Sequence, residues 1–149
     1  MSANNSYPKT TNETVLSYAP GSAERQALSA ELDAQQARVQ EIPAVVGGER
    51  VASGSITDVC APHAHAQRLG CIHNADQATI DAAIGAAISA QRDWSQTSLA
   101  DRSAVFLKAA DLLAGPWRAR LNAATMLGQG KTAYQAEIDS ACELIDFLD

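Results

Sequence analysis

The spacing of apolar residues changes along the chain, and each change predicts a different element. Residues 1–21 are polar, carry turn formers and hold one apolar pair, Val15-Leu16, which predicts an extended arm with a flexible tip. Gly21-Ser22 then opens a helix, with Ser22 as N-cap and Glu24 in the first turn. Leu28, Leu32 and Val39 continue it at helical spacing, and Pro43 stops it. Ala44-Val45-Val46, Gly47-Gly48 and Glu49-Arg50-Val51 read as a β-hairpin whose turn needs positive φ. Residues 56–60 and 68–72 are two further strand candidates, separated by residues 62–66.

From Asp76 onward the pattern is helical. Asp76 caps a helix in which Ile80, Ile84 and Ile88 fall four residues apart, ending near Trp94. Ser98 and Asp101 have capping-box spacing and precede Val105, Phe106, Ala109, Leu112 and Leu113. Gly115-Pro116 breaks that helix and starts the next, since proline is tolerated at a first helical position. Gly128-Gln129-Gly130 is a second break, and Thr132 with Gln135 opens a last helix from Ala133. On it Ile138, Ala141, Cys142, Ile145 and Leu148 form an apolar face that Leu144 and Phe147 widen, while Asp139, Glu143 and Asp146 share the narrow remaining sector. A helix so apolar is normally buried in a larger body. The pattern stops inside it, without a cap at Asp149, so the expectation is a truncated fold. The fold class is α/β: an N-terminal helix, short hairpin strands at about 42–73, then four helices over about 76–149.

Composition sharpens this picture. The apolar fraction of 46% is ordinary, but much of it is alanine and aromatics are only 5%. Large apolar anchors are therefore few for a self-sufficient core. A net charge of -6 without a basic stripe disfavours nucleic acid and anionic membranes as partners. There is no apolar run near the ~20 residues a bilayer span needs. No secretory or transit signal is visible at the start, and three cysteines are too few for a disulfide scaffold. These features lead us to expect a soluble, cytoplasmic protein.

Four groups invite chemistry. Gly130-Lys131-Thr132 resembles the end of a phosphate-binding loop, but Thr125 stands where its first glycine belongs and the preceding segment is helical. A helix-to-helix turn is the better reading. Cys60, His63, His65, Cys71 and His73 crowd one segment, yet His63 and His65 on one strand face leave the set poorly arranged for tetrahedral zinc. No metal site is assigned. Cys142 lies on an apolar face, where burial raises a thiol pKa and keeps it inert. Glu143, beside Asp139 and Asp146, either faces solvent or lines a polar cavity; charge runs favour solvent. No catalytic constellation and no cofactor-binding residue is assigned.

Longer stretches carry a resemblance. Glu41-Ile42-Pro43-Ala44-Val45-Val46-Gly47 is one, and Ala100-Asp101-Arg102 followed by residues 106–116 is another. The third is Thr125-Met126-Leu127-Gly128-Gln129-Gly130-Lys131-Thr132, continuing through Gln135-Ala136-Glu137-Ile138-Asp139 and residues 142–147. Together they resemble the amino-terminal part of 1-pyrroline-5-carboxylate dehydrogenases, in the aldehyde dehydrogenase superfamily, from about Asn12 onward. The resemblance implies an NAD-dependent enzyme that oxidises L-glutamate γ-semialdehyde to L-glutamate in proline catabolism. It implies a thiolate nucleophile, a glutamate-activated water and an NAD loop lying beyond Asp149, an oligomerisation arm built from the strands, and a homo-oligomer. The chain alone would then be inactive. Glu143 matches a family glutamate that faces the substrate-entry region, so the resemblance makes it the substrate-binding candidate. The rival reading is a stand-alone acidic module whose amphipathic helices dock a partner protein.

Overall fold

The computed structural model describes residues 11–149. Residues 11–21 are an irregular arm, and the expected mobile tip lies outside the described residues. Helix α1 spans Ala23–Gln36, with the Ser22 hydroxyl accepting the Arg25 N–H as its cap. It ends earlier than the Leu28-Leu32-Val39 spacing suggests, and Val39 is exposed. Tertiary pairing overrides propensity here. Residues Gln40–Ile42 form strand β1, which runs parallel to a later strand in the register Gln40↔Gly70 and Ile42↔Ile72. Seen alone, three residues carry no strand signal that competes with a helical period.

The hairpin is as expected. Strands β2 (Ala44–Val46) and β3 (Glu49–Val51) pair antiparallel, with Val46 opposite Glu49. Gly47 and Gly48 have φ of 58° and 89°, the left-handed values a primed two-residue turn requires. Strands β4 (Ile56–Ala61) and β5 (Ala64–His73) form a second hairpin and a sheet in the order β1-β5-β4. Its connection is tighter than the 62–66 loop read from sequence: Ala61 already pairs with Ala64, and register shifts on both sides of Cys60 absorb the turn.

Helices α2 (Gln77–Gln96), α3 (Leu99–Ala114) and α4 (Arg118–Gln129) follow, capped by Asp76 and Ser98 where capping chemistry predicts. Pro116 does not begin α4. It sits in a turn, and Arg118 is the first helical residue. Gly130 alone ends α4, with φ 68°; Gly128 and Gln129 remain helical. Thr132 and Gln135 complete a two-way capping box on α5 (Ala133–Ala136). The last helix is not continuous. A π-helical turn, Glu137–Cys142, separates α5 from α6 (Glu143–Leu148).

α1 packs on α4, and α3 packs on α6. Tyr18, Leu28 and Ala123 form the buried cluster, with Leu16, Leu32, Met126 and Ala133 against it. The arm therefore belongs to the core. By contrast, α2 buries no residue, and the Ile80, Ile84 and Ile88 row is open. Phe147 is 84% exposed although Ile145, two residues earlier, is buried at 2%. Among the described residues, no helix is long and apolar enough to cross a membrane.

Candidate functional site

The most constrained chemistry in the structure surrounds Glu137, which is fully buried. α5 and the π turn carry Glu137 inward against the first two turns of α4, which present Arg118 and Asn122. Arg118 donates to both Glu137 oxygens through Nε, at 3.2 and 3.3 Å, and again through Nη2. Asn122 Nδ2 donates to Oε2 at 2.8 Å, the Tyr18 hydroxyl to Oε2 at 2.7 Å, and the Leu16 amide to Oε1 at 2.7 Å. A buried carboxylate is tolerable only when paired and hydrogen-bonded in this way.

The same arginine ties down the arm. Arg118 Nη1 reaches Glu13 Oε1 at 2.6 Å, and Nη2 reaches the Thr14 carbonyl at 2.6 Å. The Glu13 amide donates to Asp146 on α6 at 2.6 Å. Segment 13–18 is thus strapped across α4, the π turn and α6. Tyr18 has φ 51°, a left-handed backbone that a bulky residue adopts only under constraint. The constraint is visible: its hydroxyl also accepts the Asn122 amide at 2.8 Å, so the ring is held at both ends of its hydrogen-bonding capacity.

These contacts set the protonation states. Burial works against the Glu137 charge, but donation from Arg118, Tyr18, Leu16 and Asn122 outweighs it and lowers its pKa. Burial likewise opposes the Arg118 charge, and Glu137 with Glu13 more than compensates, raising its pKa. Burial and the Glu137 carboxylate push Tyr18 up to about 12. The ordinary Glu137 value is 4.5 and the folded value is lower. Its contribution to stability is therefore fully present above pH 4.5 and is lost as pH falls through the folded value. Urea-unfolding midpoints should be set by Glu137 little between neutrality and about pH 5, then decline. A Glu137→Gln variant should show a shallower acid limb. An identical acid limb in both proteins would show that Glu137 does not govern it.

The other sequence candidates fall elsewhere. Cys142 is buried, 3.4 Å from Arg118 Nη2, and burial followed by the Glu137 charge raises its pKa, as an inert packed thiol requires. Gly130-Lys131-Thr132 is a helix-to-helix turn in which Lys131 pairs with Asp139 at 2.6 Å. The five Cys and His residues do not converge. Cys60 is exposed on β4, His63 lies in the hairpin turn, and His73 is buried between the Ser53 carbonyl at 2.9 Å and Glu41 at 2.8 Å. Those two acceptors, the backbone one first, raise the His73 pKa. Among the described residues, no group of three or more His, Cys, Asp or Glu is placed to hold a metal.

Glu143 is exposed and is the first residue of α6. Among the described residues its carboxylate makes no ion pair and no hydrogen bond, whereas Asp139 takes Lys131 and Asp146 takes the Glu13 amide. Asp139 and Glu143 are exposed and Asp146 is half-buried, while Ala141, Cys142 and Ile145 between them are buried. The π turn accommodates an additional residue, which rotates everything beyond it by about 100°. Sequence reading missed Glu137, Arg118, Asn122 and Tyr18 as a site. One signal was present: Glu137, Ala141 and Ile145 recur four apart, which places a charge in register with a buried face.

The sequence pattern of the aldehyde dehydrogenase family matches residues 50–149, most of the chain. The chain belongs to the aldehyde dehydrogenase family. It is 48% identical over 140 residues to the mitochondrial Delta-1-pyrroline-5-carboxylate dehydrogenase of Mus musculus, covering 94% of this chain and 25% of that protein. It is 45% identical to the Delta-1-pyrroline-5-carboxylate dehydrogenase of Agaricus bisporus, covering 95% of this chain and 26% of the relative. Among solved structures, the Delta-pyrroline-5-carboxylate dehydrogenase of Mycobacterium tuberculosis superposes with a TM-score of 0.94 at 50% identity, over 99% of this chain and 28% of that one. A structure of the same enzyme bound with NAD is equally similar. The chain thus spans about a quarter of the length of the curated relatives it matches. Its helix, strands and helices are a segment of this family's α/β fold.

Strand β5 runs into α2, but the connection Asn74-Ala75-Asp76 has no glycine, and Asp76 accepts the Thr79 amide at the helix N-terminus. At the Gly130 turn, a Cβ would lie 3.4 Å from Pro62 Cγ, so hairpin atoms already cover it.

Proposed function

We propose that this chain supplies the amino-terminal part of an NAD-dependent dehydrogenase. The enzyme oxidises L-glutamate γ-semialdehyde, the open form of 1-pyrroline-5-carboxylate, to L-glutamate in proline catabolism. The observation that carries this reading is identity of 48–50% to 1-pyrroline-5-carboxylate dehydrogenases across at least 94% of the chain. In it, the nucleophile and the NAD site belong to the complete enzyme, and residues 11–149 frame the substrate entrance. The strands β1, β4 and β5 form the oligomerisation arm of a homo-oligomer, with open edges on β1 and β4 able to pair with another subunit.

Within this reading Glu143 is the substrate-facing residue. Its exposed carboxylate, without a partner among the described residues, suits the α-ammonium of the semialdehyde. Two measurements test the proposal. The purified chain alone should not reduce NAD with glutamate semialdehyde, because this reading assigns the nucleophile and the NAD site to the rest of the enzyme; turnover by the chain alone would overturn that part. In the complete enzyme, Glu143→Gln should raise KM for glutamate semialdehyde roughly tenfold, the worth of one charge-assisted hydrogen bond. KM for an aldehyde lacking an ammonium group, such as propanal, should stay near its original value. Equal KM values for glutamate semialdehyde in both proteins would remove Glu143 from the substrate site.

A further inference from the structure

The π turn ends on Glu143 itself. The Glu143 amide donates to the Ile138 carbonyl, an i→i+5 bond that replaces the α-helical one. The backbone position of the proposed substrate residue is therefore set by this turn. π turns are rare and poorly stabilised by local bonding alone. Something must hold this one open.

The surroundings identify the support. The turn begins at Glu137, whose carboxylate is fixed by Arg118, Asn122, Tyr18 and the Leu16 amide. In its middle, the Ser140 hydroxyl donates to the Ala136 carbonyl and lies 2.9 Å from Asn122 Oδ1. At its end, Cys142 packs beside Arg118. Beyond it, Asp146 is tied to the arm at Glu13. Each part of the widened turn is thus anchored to α4 or to the strap, and all the anchors are buried or half-buried. Unwinding the turn to plain α geometry would rotate α6, and Glu143 with it, by about 100° relative to the residues before the turn.

We propose that Glu137, Arg118, Tyr18 and Ser140 are positioning residues for Glu143: they hold the π turn open and so fix where the Glu143 carboxylate stands. The inference rests on the reading of Glu143 as the substrate-facing residue. None of the four touches substrate in this arrangement. Their influence passes through the turn.

The test uses the complete enzyme and mild substitutions that keep the arginine paired. Tyr18→Phe removes one donor to Glu137, and Ser140→Ala removes the hydroxyl bonds inside the turn. Each should raise KM for glutamate semialdehyde about twofold to tenfold, the net worth of a hydrogen bond, while lowering kcat less and leaving KM for NAD in place. Amide exchange at Glu143 should speed up in both. The decisive arm is a double-mutant cycle: in a Glu143→Gln background, neither substitution should raise KM further. A purely structural role predicts the full factor in both backgrounds. If Glu143→Gln alone leaves KM unchanged, the substrate reading fails and the positioning role fails with it. If Glu143→Gln raises KM but Tyr18→Phe and Ser140→Ala do not, or act equally in its presence, the substrate reading stands and the positioning role is overturned. Either variant suffices should the other fail to assemble.

Discussion

Glu137→Ala is expected to cost about 3 kcal/mol of stability, the lower end of the 3–5 kcal/mol typical when one partner of a buried ion pair is removed. The substitution leaves the Arg118 guanidinium buried at 6% exposure with Glu13 as its one remaining charged partner among the described residues, beside the Thr14 carbonyl and the Cys142 sulfur. It also strips acceptors from Tyr18, Asn122 and the Leu16 amide. Glu13 is less buried, at 24% side-chain exposure, and already holds Arg118, which places the cost at the lower end. The loss is large against the 5–15 kcal/mol that a typical domain commands. It should appear as a lower urea midpoint in far-UV circular dichroism. Removing both charges together, as Glu137→Leu with Arg118→Met, should restore part of the loss, because no unpaired buried charge then remains. A midpoint unchanged in Glu137→Ala would show that the network confers no stability.

The second large effect is expected at Gly70. It sits at the centre of β5, opposite Gln40 on one side and Val59 on the other. A Cβ there would lie 2.7 Å from the Gln40 carbonyl oxygen and 3.3 Å from Ile42 Cδ1. The first contact is with backbone, which cannot swing aside as a side chain does. Gly70→Ala must therefore push β1 off β5, at a cost of about 1–3 kcal/mol. At roughly 2–4 °C per kcal/mol for a chain of this size, the melting temperature should drop measurably. Hydrogen exchange locates the damage: amides of Gln40–Ile42 should lose protection while those of β2 and β3 keep theirs. Uniform protection across both sheets would show that β1 adjusts without strain.

Elements whose signals sit in a few consecutive residues were legible in the sequence. The β2–β3 hairpin follows from Gly47-Gly48, and the helix starts at Ser22, Asp76, Ser98 and Thr132 follow from cap chemistry that each residue makes with the next three. The long motif runs placed the chain in its family. The proposal for Glu143 rests on a match between motifs rather than on chemistry read from its own segment.

What the sequence by itself determined is therefore the order and type of most elements, the caps that begin them and the family to which they belong. Only the tertiary structure decided the rest. Residues 40–42 became a strand because β5 lies alongside them, not because of their own preference. The final helix widened into a π turn because Glu137 meets partners 119 and 121 residues away at Tyr18 and Leu16, and 19 away at Arg118. A hydrophobic period describes one element against an average interior. A buried carboxylate is decided by which donors arrive from other elements, and their arrival is a property of packing rather than of local sequence.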